Sequence, residues 1–233
     1  MIKLTRKQLL KSPDEFLTFT EKVGKWVAKY RRRLLVGTAG LLVVGAVVLG
    51  LVAYQKRHQH ASALAYGQAF YLYQMVHTAP SPDQLSMLIQ NFSMVANDYA
   101  NTYTGRQARL LAGALLMATG DYAKAEDALR QISNDAGLAP EFSALIWGAL
   151  GQCLEVAGKT TEATQAYVKA AELSGSASAS IWRSSQARLL LADDAQQAQD
   201  IYRLVLNNSQ SPFLRFNAAN QLINMGQDIG RLN

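Results

Sequence analysis

Three histidines and one cysteine are the side chains best suited to chemistry, and their spacing does not assemble a catalytic group. His58 and His60 stand two residues apart, and on a helix such residues point to different faces, so the pair is poorly placed to hold one metal ion. Cys153 is the single cysteine and no histidine follows His77, so a Cys–His nucleophile would require a long-range contact. A lone cysteine within an apolar helix is typical of a small core residue.

The acidic residues and glycines offer no other catalytic arrangement. Glu126-Asp127 and Asp193-Asp194 fall on predicted surface helices or turns, where neighbouring carboxylates are usually solvated. The sequence contains no glycine-rich phosphate-binding loop, and the glycine pair Gly37-x2-Gly40 lies inside an apolar segment. We therefore predict a protein that is not an enzyme and that uses no cofactor, no metal and no nucleic acid.

The most distinctive element is Leu34–Ala53, a run of twenty residues without a charge. As a helix rising about 1.5 Å per residue it spans roughly 30 Å, the hydrocarbon thickness of a bilayer. A buried helix of a soluble protein seldom runs this long without a polar face. A cleaved signal peptide has a shorter apolar stretch, of about 7–15 residues, behind a short basic region. The sequence therefore predicts one uncleaved transmembrane helix.

The distribution of charge predicts the orientation of this helix. Residues 1–33 carry ten Lys/Arg and three Asp/Glu, a net charge of +7, whereas residues 58–233 carry eleven and fourteen, a net charge of −3. Only Lys56 and Arg57 closely follow the apolar run. The positive-inside rule then places the N-terminus in the cytoplasm and residues 54–233 on the opposite side of the membrane, which in a bacterial inner membrane is the periplasm.

Residues 1–33 form a predicted basic amphipathic arm. Ser12 to Glu15 reads as a helix start, with a capping serine, a proline in the first turn and two acids. Apolar residues then recur at three- and four-residue steps: Phe16, Phe19, Val23, Trp26 and Tyr30. This stripe favours a helix lying on the inner leaflet. A solvated flank and a docking helix for a cytoplasmic partner are the alternatives.

Residues 54–233 contain a helical repeat. Its best copy has Trp147, Leu150, Gly151 and Leu154 at the spacing of the tetratricopeptide repeat (TPR) consensus. The pattern recurs 38 residues earlier and 35 residues later. The predicted repeats span about 106–140, 144–175 and 179–210, followed by a capping helix at 212–226. Because three copies share the pattern, we predict an all-α fold, one transmembrane helix followed by a TPR-like α-solenoid, rather than a generic bundle.

In such arrays the first helix of each repeat lines a concave face that binds peptides or partner helices. The repeat pattern places ten candidate protein-binding residues there: Gln107, Leu110, Ala114, Met117, Leu145, Gly148, Gln152, Arg183, Ala187 and Leu190. The face is apolar to neutral, which favours a hydrophobic peptide or helix as the ligand. The alternative is that these residues only complete the packing between helices.

Several stretches also carry a resemblance to a known family: Asn101–Gly105, the Ala-rich Ala108–Ala118, Gly120–Ala125 and Ser211-Pro212. In these stretches and in its layout the chain resembles the ancillary SecYEG translocon subunit family of Gram-negative bacteria. The resemblance implies a non-enzymatic helper at the secretion channel. Its implied partners are the Sec translocon, a membrane-anchored periplasmic prolyl-isomerase chaperone, or unfolded secreted chains. A TPR scaffold or assembly factor of another cell-envelope complex is the alternative.

Overall fold

The computed structural model of the protein describes residues 12–76 and 80–227, with side chains from residue 21 onward apart from that of Ser176. The described residues form α-helices joined by short connections. In chain order the helices are α1 (Ser12–Met75), α2 (Pro82–Asp98), α3 (Tyr103–Ala118), α4 (Tyr122–Ser133), α5 (Pro140–Val156), α6 (Thr160–Leu173), α7 (Ser176–Leu190), α8 (Ala195–Asn208) and α9 (Pro212–Asn224). The chain divides into two compact units, residues 1–57 and residues 58–233.

In the first unit, α1 exposes apolar side chains on all sides. Every residue from Leu34 to Ala53 is exposed, and the most apolar 18-residue window of the helix has a mean hydropathy of 2.5. In the described part of the chain, α1 is the one helix long and apolar enough to cross a membrane. Within the basic arm, the rings of Trp26 and Tyr30 lie 5.4 Å apart. By length and composition, α1 is therefore a candidate membrane-spanning helix.

The second unit begins with a helix pair made by the end of α1 and by α2. Phe92 of α2 is fully buried, and its ring lies 6.1 Å from that of Tyr66 on α1. The hydroxyl of Ser62, also on α1, shares a hydrogen bond of 2.7 Å with the hydroxyl of Thr102. Thr102 caps α3 by accepting from the Gly105 backbone N–H over 3.0 Å. This pair therefore packs on the first repeat, although the sequence pattern did not reveal it as part of the array.

Three further helix pairs follow: α3 with α4, α5 with α6, and α7 with α8. Successive pairs stack, since α4 packs on α5 and α6 packs on α7, and α9 packs on α8. Tight turns join α3 to α4 and α5 to α6, where Gly120 and Gly158 adopt φ of +83° and +76°, values that favour glycine. The predicted all-α fold, a long N-terminal apolar helix followed by stacked TPR-like helix pairs, is confirmed.

Within each pair, a small residue of the first helix lies against a large residue of the second. A Cβ atom added to Gly113 would lie 3.1 Å from the Leu129 side chain. One added to Gly151 would lie 2.7 Å from the Tyr167 ring. These positions have no room for a larger side chain, which is why the two helices of each pair can approach closely.

The third pair uses Ala187 at this position, fully buried in one cluster with Tyr202. Ala187 follows Gly151, the equivalent residue of α5, by 36 residues, so the first helix of the third repeat is offset by 36 residues from that of the second. Aligning Trp182 with Trp147 gives an offset of 35. Trp182 instead takes the buried position of Ile146, so the sequence alignment of this helix is corrected by one residue.

Candidate functional site

The predicted binding face involves the first helices α3, α5 and α7, and its ten residues lie at three depths. Three of them are exposed: Ala114, Leu145 and Gln152. Five are half-buried: Gln107, Leu110, Met117, Arg183 and Leu190. The other two are buried: Gly148 and Ala187. Eight of the ten therefore reach the surface of the described chain.

Gly148 and Ala187 do not line a groove, which corrects their assignment to the binding face. Gly148 lies beneath the indole of Trp182, since a Cβ atom added to the glycine would be 2.3 Å from that ring. Ala187 occupies the crossing of α7 with α8 against Tyr202. The one-residue correction in α7 turns Ala187 inward. Both residues therefore serve helix packing.

Leu145 lies at a pocket between the starts of α5 and α7. The pocket, termed the Leu145–Ile181 pocket, has a volume of about 190 Å³. It is lined by Glu141, Ala144, Leu145, Ser174, Gly175, Ser178, Ile181 and Trp182. Leu145 and Ile181 are 52% and 46% exposed, so both keep a large aliphatic side chain at the surface of the pocket.

Ile181 was missed by the sequence analysis, and the reason is the same one-residue error. With the offset of 35, the equivalent of Leu145 is Ser180, which is fully buried. With the structural offset of 36, the equivalent of Leu145 is Ile181. The pocket therefore carries the same exposed aliphatic position from two neighbouring repeats. One sequence signal could have identified Ile181. If the small Ala187 and the large Tyr202 are taken as the pair at which α7 and α8 cross, Ile181 becomes the equivalent of Leu145.

The starts of both helices leave polar groups beside this apolar surface. The residues before the first turns, Ala139 for α5 and Gly175 for α7, provide no side-chain cap. The first N–H groups of a helix have no partner within the helix. In α5, however, Pro140 has no N–H, and the N–H groups of Phe142 and Ser143 donate to the Ala139 carbonyl over 3.0 Å. The start of α7 therefore offers backbone donors beside the apolar side chains of Leu145 and Ile181, from which the carbonyls of a bound chain can accept hydrogen bonds.

A charged cluster lies near the other ends of α5 and α7. Arg188 donates to both carboxylate oxygens of Glu155, over 2.5 and 2.9 Å, and the Tyr167 hydroxyl donates to the same carboxylate over 2.9 Å. The hydrogen bonds from Arg188, and to a lesser extent from Tyr167, hold the pKa of Glu155 below its ordinary value. Burial and the bond to Glu155 raise the pKa of Tyr167. Glu155 is therefore engaged within the fold, and the cluster ties neighbouring repeats together.

A larger cavity, of about 370 Å³, opens between α4, α5 and α6. Three residues of its lining are charged. Arg130 Nη2 lies 2.5 Å from Glu162, and Lys169 Nζ lies 3.4 Å from Glu172. Arg130 also donates to Glu126 over 2.8 Å, and Lys159 bonds to the same carboxylate over 2.8 Å. These bonds connect α4 with α6. We assign this cavity to interhelical packing, because each of its charged groups is already engaged in an ion pair.

The residues considered for chemistry do not come together. Cys153 is fully buried, its thiol donates to the Tyr122 carbonyl over 3.4 Å, and burial raises the pKa of the thiol, which disfavours the reactive thiolate. The His58 ring lies 5.1 Å from that of Tyr99, and His77 lies outside the described residues. In the described part of the chain, no group of three or more His, Cys, Asp or Glu side chains is placed to hold a metal ion.

The chain is similar in structure to solved TPR-like proteins. Nearly identical TPR-like repeats of a protein assigned as a kinesin light chain in Podospora anserina match with a TM-score of 0.56 and 16% sequence identity, over 72% of this chain and 89% of that chain. A single-residue variant of the same repeats matches with the same scores over 88% of its length. No protein-family model and no curated protein sequence matches. The likeness defines the class: this is a TPR-like helical repeat protein with a long N-terminal apolar helix.

Proposed function

We propose that the protein is a membrane-tethered interaction scaffold whose Leu145–Ile181 pocket holds an apolar side chain of a partner protein. The observation that carries the proposal is the exposure of Leu145 and Ile181, from equivalent positions of neighbouring repeats, at one pocket. Exposed apolar side chains around a concavity are typical of interaction sites. Repeat arrays present extended surfaces for partners, which supports the same role.

The pocket suits an amphipathic helix or an extended segment with one large apolar anchor. Its volume of about 190 Å³ is below the roughly 300–1,000 Å³ of small-molecule sites, which favours a single side chain as the occupant. Glu141 adds a carboxylate to the lining. A Lys or Arg beside the apolar anchor of the partner would complement it.

The segment Leu34–Ala53 supports membrane tethering, since it is uncharged and exposed throughout. The excess of Lys/Arg in residues 1–33 supports a cytoplasmic N-terminus and a periplasmic repeat domain at a bacterial inner membrane. In that orientation the pocket lies in the compartment into which secreted chains emerge. A tethered pocket meets other membrane-bound proteins at a raised local concentration.

The resemblance to the ancillary SecYEG translocon subunit family supports a more specific role. In this role the protein is an ancillary translocon subunit within the periplasmic chaperone network. Its partner is the Sec channel, a membrane-anchored periplasmic prolyl-isomerase chaperone, or an emerging polypeptide. A TPR scaffold of another cell-envelope complex would use the same tether and pocket and would differ in its partner alone.

Affinity purification from detergent-solubilised membranes tests the proposal with matched variants. Leu145→Asp and Ile181→Asp place a charge in the pocket, whereas Leu204→Asp places it on an exposed site of α8 outside the pocket. We expect the unmodified chain and Leu204→Asp to recover channel or chaperone subunits. The two pocket variants should lose at least about tenfold in recovery, which corresponds to 1.4 kcal/mol.

Three other results are informative. Equal recovery by all four chains would contradict the role of the pocket. Recovery of the subunits of a different assembly, lost in the two pocket variants alone, would retain the pocket and overturn the translocon role. Recovery of no partner by any chain would contradict the interaction scaffold itself.

A further inference from the structure

The N-terminal end of the apolar run carries a group of cations on α1 that no acid neutralises. Lys29, Arg32 and Arg33 are exposed, and Arg33 directly precedes the apolar run. Between residues 21 and 57 the one acid is Glu21, which lies 3.7 Å from Lys25. In the described part of the chain, Lys29, Arg32 and Arg33 therefore form no ion pair, and their charges are free to meet a ligand.

Two open concavities meet at this end of α1. The first is lined by Lys29, Arg32, Arg33, Val36 and Gly37. The second is apolar beyond Arg33 and is lined by Arg33, Leu34, Gly37, Thr38, Leu41 and Leu42. Because Arg33 and Gly37 belong to both, the surface joins three cations to an apolar groove. It is termed the Arg33 site and consists of these two linings.

The groove of the Arg33 site is open and its polar groups are engaged. Gly37 follows Arg33 by four residues and so lies on the same face, and a Cβ atom added to it would meet nothing within 4 Å. The bare backbone at Gly37 allows a ligand to approach the helix closely. The Thr38 hydroxyl donates to the Leu34 carbonyl over 2.9 Å, so it is satisfied within the helix.

The length of the groove matches one leaflet of a bilayer. Leu42 follows Arg33 by nine residues, which is about 14 Å along the helix axis. One leaflet supplies about half of the roughly 30 Å of hydrocarbon. An acyl chain that begins at the level of Arg33 ends near Leu42, whereas a spanning helix of a partner would continue across the whole bilayer. The length therefore favours a lipid as the occupant.

The cations of the Arg33 site select the headgroup of that lipid. The guanidinium groups of Arg32 and Arg33 can each donate two parallel hydrogen bonds to phosphate oxygens, and Lys29 adds a point charge one turn away. A zwitterionic headgroup would bring its own cation to this group, and an anionic headgroup does not. We infer that the Arg33 site binds an anionic phospholipid in the leaflet at the N-terminal end of α1. This inference rests on the proposed membrane tether.

Native mass spectrometry of the full chain tests the Arg33 site. The detergent-solubilised chain is mixed with equal amounts of phosphatidylglycerol and phosphatidylcholine that have the same acyl chains, and the retained lipids are identified by mass. We expect the unmodified chain to retain phosphatidylglycerol about fivefold or more over phosphatidylcholine. Arg32→Gln with Arg33→Gln should abolish this preference. The matched control, Lys56→Gln with Arg57→Gln, removes two charges beyond the other end of the apolar run and should keep it.

A second pair of variants separates a shaped site from a diffuse attraction between charges. Gly37→Leu fills the groove and keeps every cation, whereas Gly45→Leu adds the same side chain elsewhere in the apolar run. A Cβ atom at either glycine meets nothing within 4 Å, so neither change should alter folding. Gly37→Leu should lower the retention of phosphatidylglycerol about fivefold, because the leucine occupies the place of the acyl chain. Gly45→Leu should leave the retention unchanged.

Three results would overturn the Arg33 site. They are equal retention of the two lipids by the unmodified chain, equal losses in the arginine pair and in its matched control, and unchanged retention in Gly37→Leu. Each of these results leaves the tether intact, since the tether itself fails only if the unmodified chain leaves the membrane fraction on alkaline extraction. Failure of the lipid site and failure of the tether are therefore distinguishable.

Discussion

Two apolar helical stretches of this chain, Leu34–Ala53 and α5, differ completely in their surroundings. All twenty residues of Leu34–Ala53 are exposed, and a Cβ atom added to any of its four glycines would meet nothing within 4 Å. In α5, nine of seventeen residues are buried, and Gly148 and Gly151 lie directly against aromatic rings. The same residue types therefore stand in open space in one stretch and in a close-packed interior in the other.

The difference in surroundings shows what each stretch needs in order to remove its apolar side chains from water. The apolar side chains of α5 are matched by α4, α6 and α7, which remove them from water. The apolar side chains of Leu34–Ala53 have no such neighbours, and leaving each of them in water forgoes about 1.5–3 kcal/mol of burial. A lipid bilayer supplies the missing apolar surroundings, which is the physical basis of the proposed tether.

The largest expected effect comes from charging the centre of Leu34–Ala53. An arginine at the middle of a spanning helix costs about 2.5–3.5 kcal/mol on insertion, so Val43→Arg combined with Val44→Arg should cost about 5–7 kcal/mol. We expect this chain to leave the membrane fraction on alkaline extraction, and the control with leucine at both positions to stay. Retention of the double-arginine chain would show that another part of the molecule is the anchor.

Glycine substitutions compare the packing of the two stretches directly. Gly151→Ala should lower the free energy of unfolding by about 1–3 kcal/mol, because the new Cβ atom would lie 2.7 Å from the Tyr167 ring. Gly45→Ala should leave the unfolding of the repeat domain unchanged, because its Cβ atom meets nothing. Thermal unfolding of the detergent-solubilised chains by circular dichroism measures both. Equal stability of the two variants would contradict the contrast in packing.

The ion pair between Arg188 and Glu155 lies at the end of α5, and Leu34–Ala53 has no such pair. Its effect on the free energy of unfolding should be smaller than that of Gly151→Ala and should depend on pH. Because Arg188 lowers the pKa of Glu155 in the folded state, the pair stabilises the fold above the ordinary pKa of 4.5, and this contribution is lost as the pH falls through the folded value. Arg188 is half exposed, so Glu155→Gln should cost about 0.5–1 kcal/mol at neutral pH.

Urea unfolding of the unmodified and Glu155→Gln chains over a range of pH checks this prediction. The two midpoints should differ at neutral pH and converge as the pH falls well below 4.5, where Glu155 is protonated in both states. Convergence on raising the pH instead would contradict the lowered pKa of Glu155, and a constant difference throughout would show that the pair contributes through packing and not through charge.

The smallest effect on stability is expected at the pocket. Leu145→Ala should change the free energy of unfolding by less than about 0.5 kcal/mol, because the side chain is half exposed. Leu150→Ala, one and a half turns along the same helix and fully buried, should cost about 2–5 kcal/mol. The pair of unfolding curves separates residues of α5 that stabilise the fold from those free to bind. Similar losses at both positions would assign Leu145 to the core.

The helical array could be predicted because its spacing has a packing cause. Only a small residue at Gly151 admits the Tyr167 ring, and only a residue tolerant of positive φ suits the turn at Gly158, so both leave a pattern in the sequence. The third repeat lacks the turn glycine, with Asp193 there instead, and Trp182 gave an alignment one residue too short. This error of one residue assigned the buried Ala187 to the surface of α7 and left the exposed Ile181 out.

The pocket could be predicted only in part for the same reason. Leu145 was placed on the binding face, whereas Ile181 was not, because the offset of 35 pairs Leu145 with the buried Ser180. The cover that Trp182 forms over Gly148, and the bonds that engage Glu155, depend on how one repeat lies against the next. Such contacts between repeats leave no periodic signal, so they required the three-dimensional structure.

The central claim, that the Leu145–Ile181 pocket binds a partner protein, is tested most directly by photocrosslinking in living cells. A benzophenone side chain is placed singly at Leu145, at Ile181 and, as the control, at the exposed Leu204 of α8. We expect irradiation to give an adduct with the same partner protein from Leu145 and from Ile181, and none with that protein from Leu204. No adduct from either pocket position, or the same adduct from Leu204, would show that the Leu145–Ile181 pocket is not the binding site.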